Sequence, residues 1–190
     1  RPDKRVAHQK RGTMRRRLVL LMMSLSLGGG MAYAQRYLPG MGGVQVTGGV
    51  VDGLGGFSAS LAYSRYDRHS NHWMFGGGLV NRKMDDLTGK LPVVQFLATG
   101  GYYIHVLSDR RKVFFLSLGI NALGGYETVN GGRIMDRDRL VYGGGLTLEL
   151  ESYLTDRLVF LVEFGERCLL GGDTGRFGNG IGIGVKYIID

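Results

Sequence analysis

From position 35 onward the chain offers few residues suited to chemistry. Histidine occurs there only as His69, His72 and His105, and cysteine once, as Cys168. In Asp67-Arg68-His69-Ser70-Asn71-His72 two imidazoles stand three residues apart. A metal site would need further ligands converging on them, and the polar residues between them read better as a solvated turn. A nucleophilic serine would need a sharp strand-to-helix elbow flanked by glycines. Gly56-Phe57-Ser58-Ala59-Ser60 lacks the second glycine and lies inside an alternating segment, and nothing places a serine beside His105. Gly178-Asn179-Gly180-Ile181-Gly182-Ile183-Gly184 has the wrong spacing for a dinucleotide fingerprint, and no helix follows it. Gly89-Lys90 lacks both the upstream glycine and the following Ser/Thr of a phosphate-binding loop. No catalytic, cofactor or metal residues are assigned, and the chain reads as non-enzymatic. Cys168 reads as a free thiol, since one cysteine excludes an intrachain disulfide framework. Asp85, Asp86, Asp136 and Asp138 read as ordinary acidic loop residues.

One charged set remains: Glu149, Glu151 and Glu163, with Arg167 and Lys186. Its meaning depends on the elements that carry it. From Gly43 onward the dominant period is two. Leu146, Leu148 and Leu150 alternate with Thr147, Glu149 and Glu151, and Ile181, Ile183, Val185, Tyr187 and Ile189 alternate with glycines and Lys186. That is the pattern of β-strands. Glycine supports it, with 30 of the 156 residues from position 35 onward against an average near ~7 %, a composition hostile to long helices. Eight strands are expected, at about 43–51, 56–66, 72–82, 93–106, 112–126, 139–154, 157–167 and 177–189. Short turns follow strands two, four and six, and longer loops (Lys83–Pro92, Glu127–Asp138, Cys168–Arg176) follow strands three, five and seven. This asymmetry is that of an outer-membrane barrel, with its short turns in the periplasm.

One face of each strand carries Phe, Leu, Val, Tyr and Trp73; the other carries Gly, Ser, Thr, Gln and Glu. An eight-stranded barrel is too narrow inside for the bulky set, so that set must face outward, and an apolar exterior of that size needs lipid. The expected fold is therefore all-β: an eight-stranded antiparallel transmembrane β-barrel of the outer membrane. Its lumen would hold Gln45, Thr47, Ser60, Gln95, Ser117, Asn121 and Thr147 together with the charged set. Buried charges persist only when paired, so Glu149, Glu151 and Glu163 are expected against Arg167 and Lys186 in a salt-bridged plug, in place of a conducting pore.

The N-terminus has a different character. Eight of the 24 Lys and Arg precede position 35, against the single acid Asp3, which leaves the rest of the chain with a net charge of +1. The basicity therefore gives no support for nucleic-acid binding. Arg15-Arg16-Arg17, an apolar run from Leu18 to Leu27, and Ala32-Tyr33-Ala34 form an export signal with cleavage expected after Ala34. The run is shorter than the ~20 residues of a transmembrane helix. The expected organisation is an upstream extension plus cleaved signal over 1–34 with the start at Met14, a periplasmic N-terminal segment over 35–42, and a barrel over 43–190. Within the middle segment Arg36, Tyr37 and Leu38, before Pro39-Gly40, suit an extended docking strip.

Gln35-Arg36-Tyr37-Leu38-Pro39-Gly40 and Gly43-Val44-Gln45-Val46-Thr47-Gly48-Gly49 resemble the TraO family of conjugal transfer proteins from Bacteroides-type conjugative transposons. So do Gly100-Gly101-Tyr102-Tyr103, Phe115-Leu116-Ser117-Leu118-Gly119, and Tyr142-Gly143-Gly144 leading to Glu151-Ser152-Tyr153-Leu154-Thr155-Asp156-Arg157. The resemblance runs from Met14 to the C-terminus in consistent order. It implies a role in the apparatus that moves DNA between cells, with other conjugal transfer proteins and outer-membrane lipid as partners and no catalytic residues to carry over. The alternatives are a free-standing small outer-membrane barrel for surface adhesion or protection and, with less support, an outer-membrane lipid hydrolase.

Overall fold

The computed structural model describes residues 39–67, 69–86, 89–110, 113–129, 139–172 and 177–189. These form eight strands: β1 (Gly42–Val51), β2 (Gly56–Tyr66), β3 (His72–Asp86), β4 (Gly89–Ser108), β5 (Phe114–Val129), β6 (Arg139–Tyr153), β7 (Leu158–Leu170) and β8 (Phe177–Ile189). Each pairs antiparallel with the next, and β1 closes on β8 from Gly42↔Ile189 to Val51↔Gly180. The expected all-β, eight-stranded antiparallel barrel is the observed one. Closure matters physically, because it leaves no strand edge with unpaired backbone groups.

Period two sets the facing. In the β5–β6 ladder Leu118↔Leu148 stands beside Ser117↔Glu149. The leucine pair lies on the exposed outer surface, whereas Ser117 and Glu149 are buried in the lumen. The same alternation exposes Val46, Leu61, Phe75, Phe96, Ile120, Leu146, Phe164 and Ile183 around the barrel. Trp73 belongs to this outer face and packs on Phe75 and Tyr102, at ring distances of 6.3 and 4.8 Å.

The barrel has two unlike ends. At the turn end β2–β3, β4–β5 and β6–β7 are joined by short connections, and the β2–β3 turn is closed by the Asp67 N–H donating to the Asn71 carbonyl, 2.7 Å. At the opposite, loop end the expected loop Lys83–Pro92 is not a loop. β3 continues to Asp86, β4 begins at Gly89, and Lys83↔Pro92 is a paired position. The ladder of β4 with β5 begins at Val93. Pro92 therefore lies where the described residues pair on one side only, the edge setting in which a strand admits proline. Likewise β5 extends to Val129 and β7 to Leu170, so the loops expected from Glu127 and from Cys168 begin later. Turn-forming residues had suggested the earlier ends, but continued pairing with a neighbouring strand outweighs local propensity. The β1–β2 connection is tight: Asp52 (φ 52°) and Gly53 (φ 65°) both take the left-handed conformation that Asp tolerates and Gly favours.

Candidate functional site

The lumen has four levels. At the turn end, strand termini bring Met41, Phe115, Tyr153, Val159, Leu161 and Ile188 into one buried cluster with Tyr66. This corrects the expectation that a narrow lumen excludes bulky side chains, since large residues fill it here. They fit because their neighbours are small. A Cβ on Gly119, for example, would fall 2.5 Å from the Tyr103 ring.

Directly above lies the charged layer. Lys186, wholly buried, reaches from β8 across the lumen to β6, with Nζ 3.2 Å from Glu149 and in contact with Glu151. Nζ also donates to the Tyr66 hydroxyl at 3.0 Å, and that hydroxyl donates to Glu151 at 3.0 Å. His72 stacks on Tyr103 at a centroid distance of 4.8 Å, leans on Tyr66 at 4.9 Å, and holds Nε2 3.4 Å from Glu149. Glu163 joins from β7, directly opposite Glu149, and accepts a hydrogen bond from Gln45 Nε2 at 3.0 Å. Ser64 in turn donates to Gln45 at 3.3 Å. A buried ion pair is weak evidence of net stabilisation, but removing one member strands the other charge.

The middle of the lumen is hollow. A cavity of about 200 Å³ is walled by glycines (Gly78, Gly145, Gly165, Gly180, Gly182 among them) and by Thr47, Ser60, Thr99 and Thr147, with Glu163 and Gln45 on the plug side. Thr47 and Ser60 share a hydrogen bond, and Asn121 donates to Thr147 at 2.9 Å. Toward the loop end Val51, Val80, Leu97, Val141 and Leu169 narrow the lumen. There Arg82 pairs with Asp52 at 3.2 Å and lies 3.9 Å from Glu127, which accepts from Gln95 at 2.6 Å.

The charged set of the sequence is thus divided. Glu149, Glu151 and Lys186 meet in one layer, with Glu163 at its margin. Arg167 does not join them: it sits toward the loop end over Gly178, where its surroundings are set by Arg82 and Asp52. Position explains this, because inward residues four apart on β7 are separated by about 13 Å of extended strand. His72 corrects a second expectation, for it opens β3 and is buried in the lumen. Only His69 stays in the exposed turn. The alternation of β3 contained the signal, since His72 shares its face with Met74, Gly76, Gly78 and Val80. Tyr66 and Tyr103 were missed as lumen residues because bulky side chains were expected on the outer face, and Arg82 and Glu127 because they fall at the ends of the expected strands. Arg36, Tyr37, Leu38, the export signal, Asp136 and Asp138 lie outside the described residues, as do the side chains of Asp85 and Asp86.

A family model described as conjugative transposon protein TraO matches residues 38–189. No curated protein matches the chain in sequence. Among solved structures the barrel is similar to Neisserial surface protein A (11 % identity, TM-score 0.55), with 79 % of this chain and 97 % of that one covered. It is also similar to Ail, the attachment invasion locus protein of Yersinia pestis (10 % identity, TM-score 0.54, 80 % and 100 % covered). A third similar structure is the N-terminal β-barrel domain of Pseudomonas aeruginosa OprF (10 % identity, TM-score 0.52, 79 % and 98 % covered). At such identities the likeness concerns the fold alone.

Proposed function

The chain belongs to the TraO family of conjugative transposon proteins, and from that premise we propose that it is a non-enzymatic outer-membrane component of the conjugative DNA-transfer apparatus, serving as a platform for other transfer proteins. The family match over residues 38–189 is the observation that carries this reading. The outer surface supports the membrane part. A closed barrel with Val, Leu, Ile and aromatic side chains exposed on every strand suits lipid, and in water such a surface would associate. Among the described residues no helix is long and apolar enough to cross a membrane, so crossing falls to the strands.

Within this proposal the protein is exported through a signal cleaved after Ala34, and its short turns face the periplasm. The lipid face must be uniformly apolar and cannot discriminate partners, while the turn end of the lumen is packed shut. Recognition therefore falls to the rims and to the segment before β1, where Arg36, Tyr37 and Leu38 form the proposed docking strip. Contact with the transferred DNA is not part of the proposal, since the net charge beyond position 34 is only +1. The test replaces Arg36, Tyr37 and Leu38 together with Gly/Ser. Heat-modifiable gel mobility should show normal insertion, and mating frequency should fall. Normal insertion with unchanged mating would remove the strip as a docking site.

A further inference from the structure

The charged layer of the lumen is short of positive charge on the side that faces the cavity. Glu149 and Glu163 stand opposite one another on adjacent strands, both pointing inward, with their carboxyl groups within hydrogen-bonding reach. Like charges placed directly across a ladder repel, and burial strengthens the repulsion. Lys186 does not resolve this, because its ammonium is shared between Glu149 Oε1 and Glu151. His72 approaches that same Oε1. Glu149 Oε2 is buried without a hydrogen-bond partner, and among the described residues Glu163 makes no ion pair: its one hydrogen bond comes from the neutral Gln45. The other elements around the layer supply Tyr66, Tyr103, Ser64 and Ser117, none of them cationic. Arg167, on β7 with Glu163, lines the same cavity but lies over Gly178 toward its loop end, four residues along the strand from Glu163.

Space and access complete the arrangement. Glu163 borders the 200 Å³ cavity, whose other polar lining on this side comprises the hydroxyls of Thr47, Ser60 and Thr147 and the amides of Gln45 and Asn121. Oxygen donors with excess negative charge suit a small hard cation and disfavour anions and soft metals. The cavity shares Glu166, Arg167, Gly178 and Asn179 with a second void beside Asp52 and Phe177, so it continues toward the loop end. On the turn side it is backed by Lys186 and the bulky cluster beneath it. The space is blind at that end.

We infer that the Glu149–Glu163 pair, with Glu163 on the plug-side wall of this cavity and Glu149 beside it, binds one small hard cation. The chemistry is a single positive charge held between two carboxylates, and an alkali-metal ion or a proton could supply it. The experiment measures thermal unfolding of the full barrel in detergent by heat-modifiable gel mobility. It compares choline chloride, sodium chloride and potassium chloride at equal ionic strength, each below and above neutral pH. A higher unfolding temperature in sodium or potassium than in choline, abolished in Glu163→Gln, assigns the site to an alkali ion. Unfolding that responds to pH and not to the cation, with the response abolished in Glu163→Gln, assigns it to a proton. Glu149→Gln removes the other carboxylate and serves as the second variant should the first not fold. Wild type and variant responding alike to both salt and pH would overturn the inference. Mating plays no part in the readout, so the result stands apart from the proposed role in transfer.

Discussion

The two halves of the lumen share the same strands and the same alternation, yet one is dense and the other hollow. Below Glu163 the inward positions are Tyr66, His72, Tyr103, Phe115, Tyr153, Leu161, Lys186 and Ile188, buried and interlocked. Above it glycine, serine and threonine surround open space, before Val51, Val80, Leu97, Val141 and Leu169 narrow the lumen toward the loop end. The difference separates two tasks that a small barrel combines. The dense half closes the lumen and cross-links strands distant in sequence, because Lys186 ties β8 to β6 and Tyr66 ties β2 into the same layer. The hollow half packs only toward the loop end and leaves room in its middle for water or a ligand.

Substitutions can break or sharpen that contrast. The largest effect is expected at Lys186→Met, which leaves Glu149 and Glu151 buried without their ammonium and should cost about 3–5 kcal/mol. Urea titration of the refolded barrel in vesicles, followed by the fluorescence of the single tryptophan Trp73, measures it. Arg167→Met in the hollow half should cost only about 1 kcal/mol in the same titration. Equal losses would end the distinction between the halves. Next comes the outer face, where Leu148→Arg should cost about 2–4 kcal/mol if that position lies near the bilayer midplane. The inward Ser60→Ala should cost about 1 kcal/mol or less, and equal tolerance at both positions would contradict the facing. The glycines give the finest comparison. Gly119→Ala drives a methyl into the Tyr103 ring and should destabilise by about 1–3 kcal/mol. Gly182→Ala meets nothing closer than 3.5 Å and should fall within about 0.5 kcal/mol of wild type.

Much of this architecture was legible in the residues. The strand centres announced themselves because Leu146–Leu150 and Ile181–Ile189 alternate without interruption, and alternation fixes both element type and facing. Strand ends were less legible. Lys83–Pro92 looked like a loop because Gly89 and Pro92 are turn residues, whereas a β-hairpin that pairs on one side accommodates them. The pairing of Lys186 with Glu149 and Glu151 followed from shared facing. The exclusion of Arg167 did not, because height in a barrel depends on register, and register between β7 and its neighbours is a property of the whole closed sheet. His72 was misplaced for a related reason: a histidine beside a polar turn belongs to the lumen only once the strand's first paired residue is known.

The central claim is that this barrel is a working part of the transfer machine. Its most direct test is mating from a donor in which the chain is deleted, alone and complemented with the wild-type chain at native level, with insertion checked by heat-modifiable mobility of the outer-membrane fraction. The account predicts that transfer falls to the background of a transfer-deficient donor on deletion and returns with the complemented, inserted barrel. Undiminished transfer from the deletion donor would contradict it.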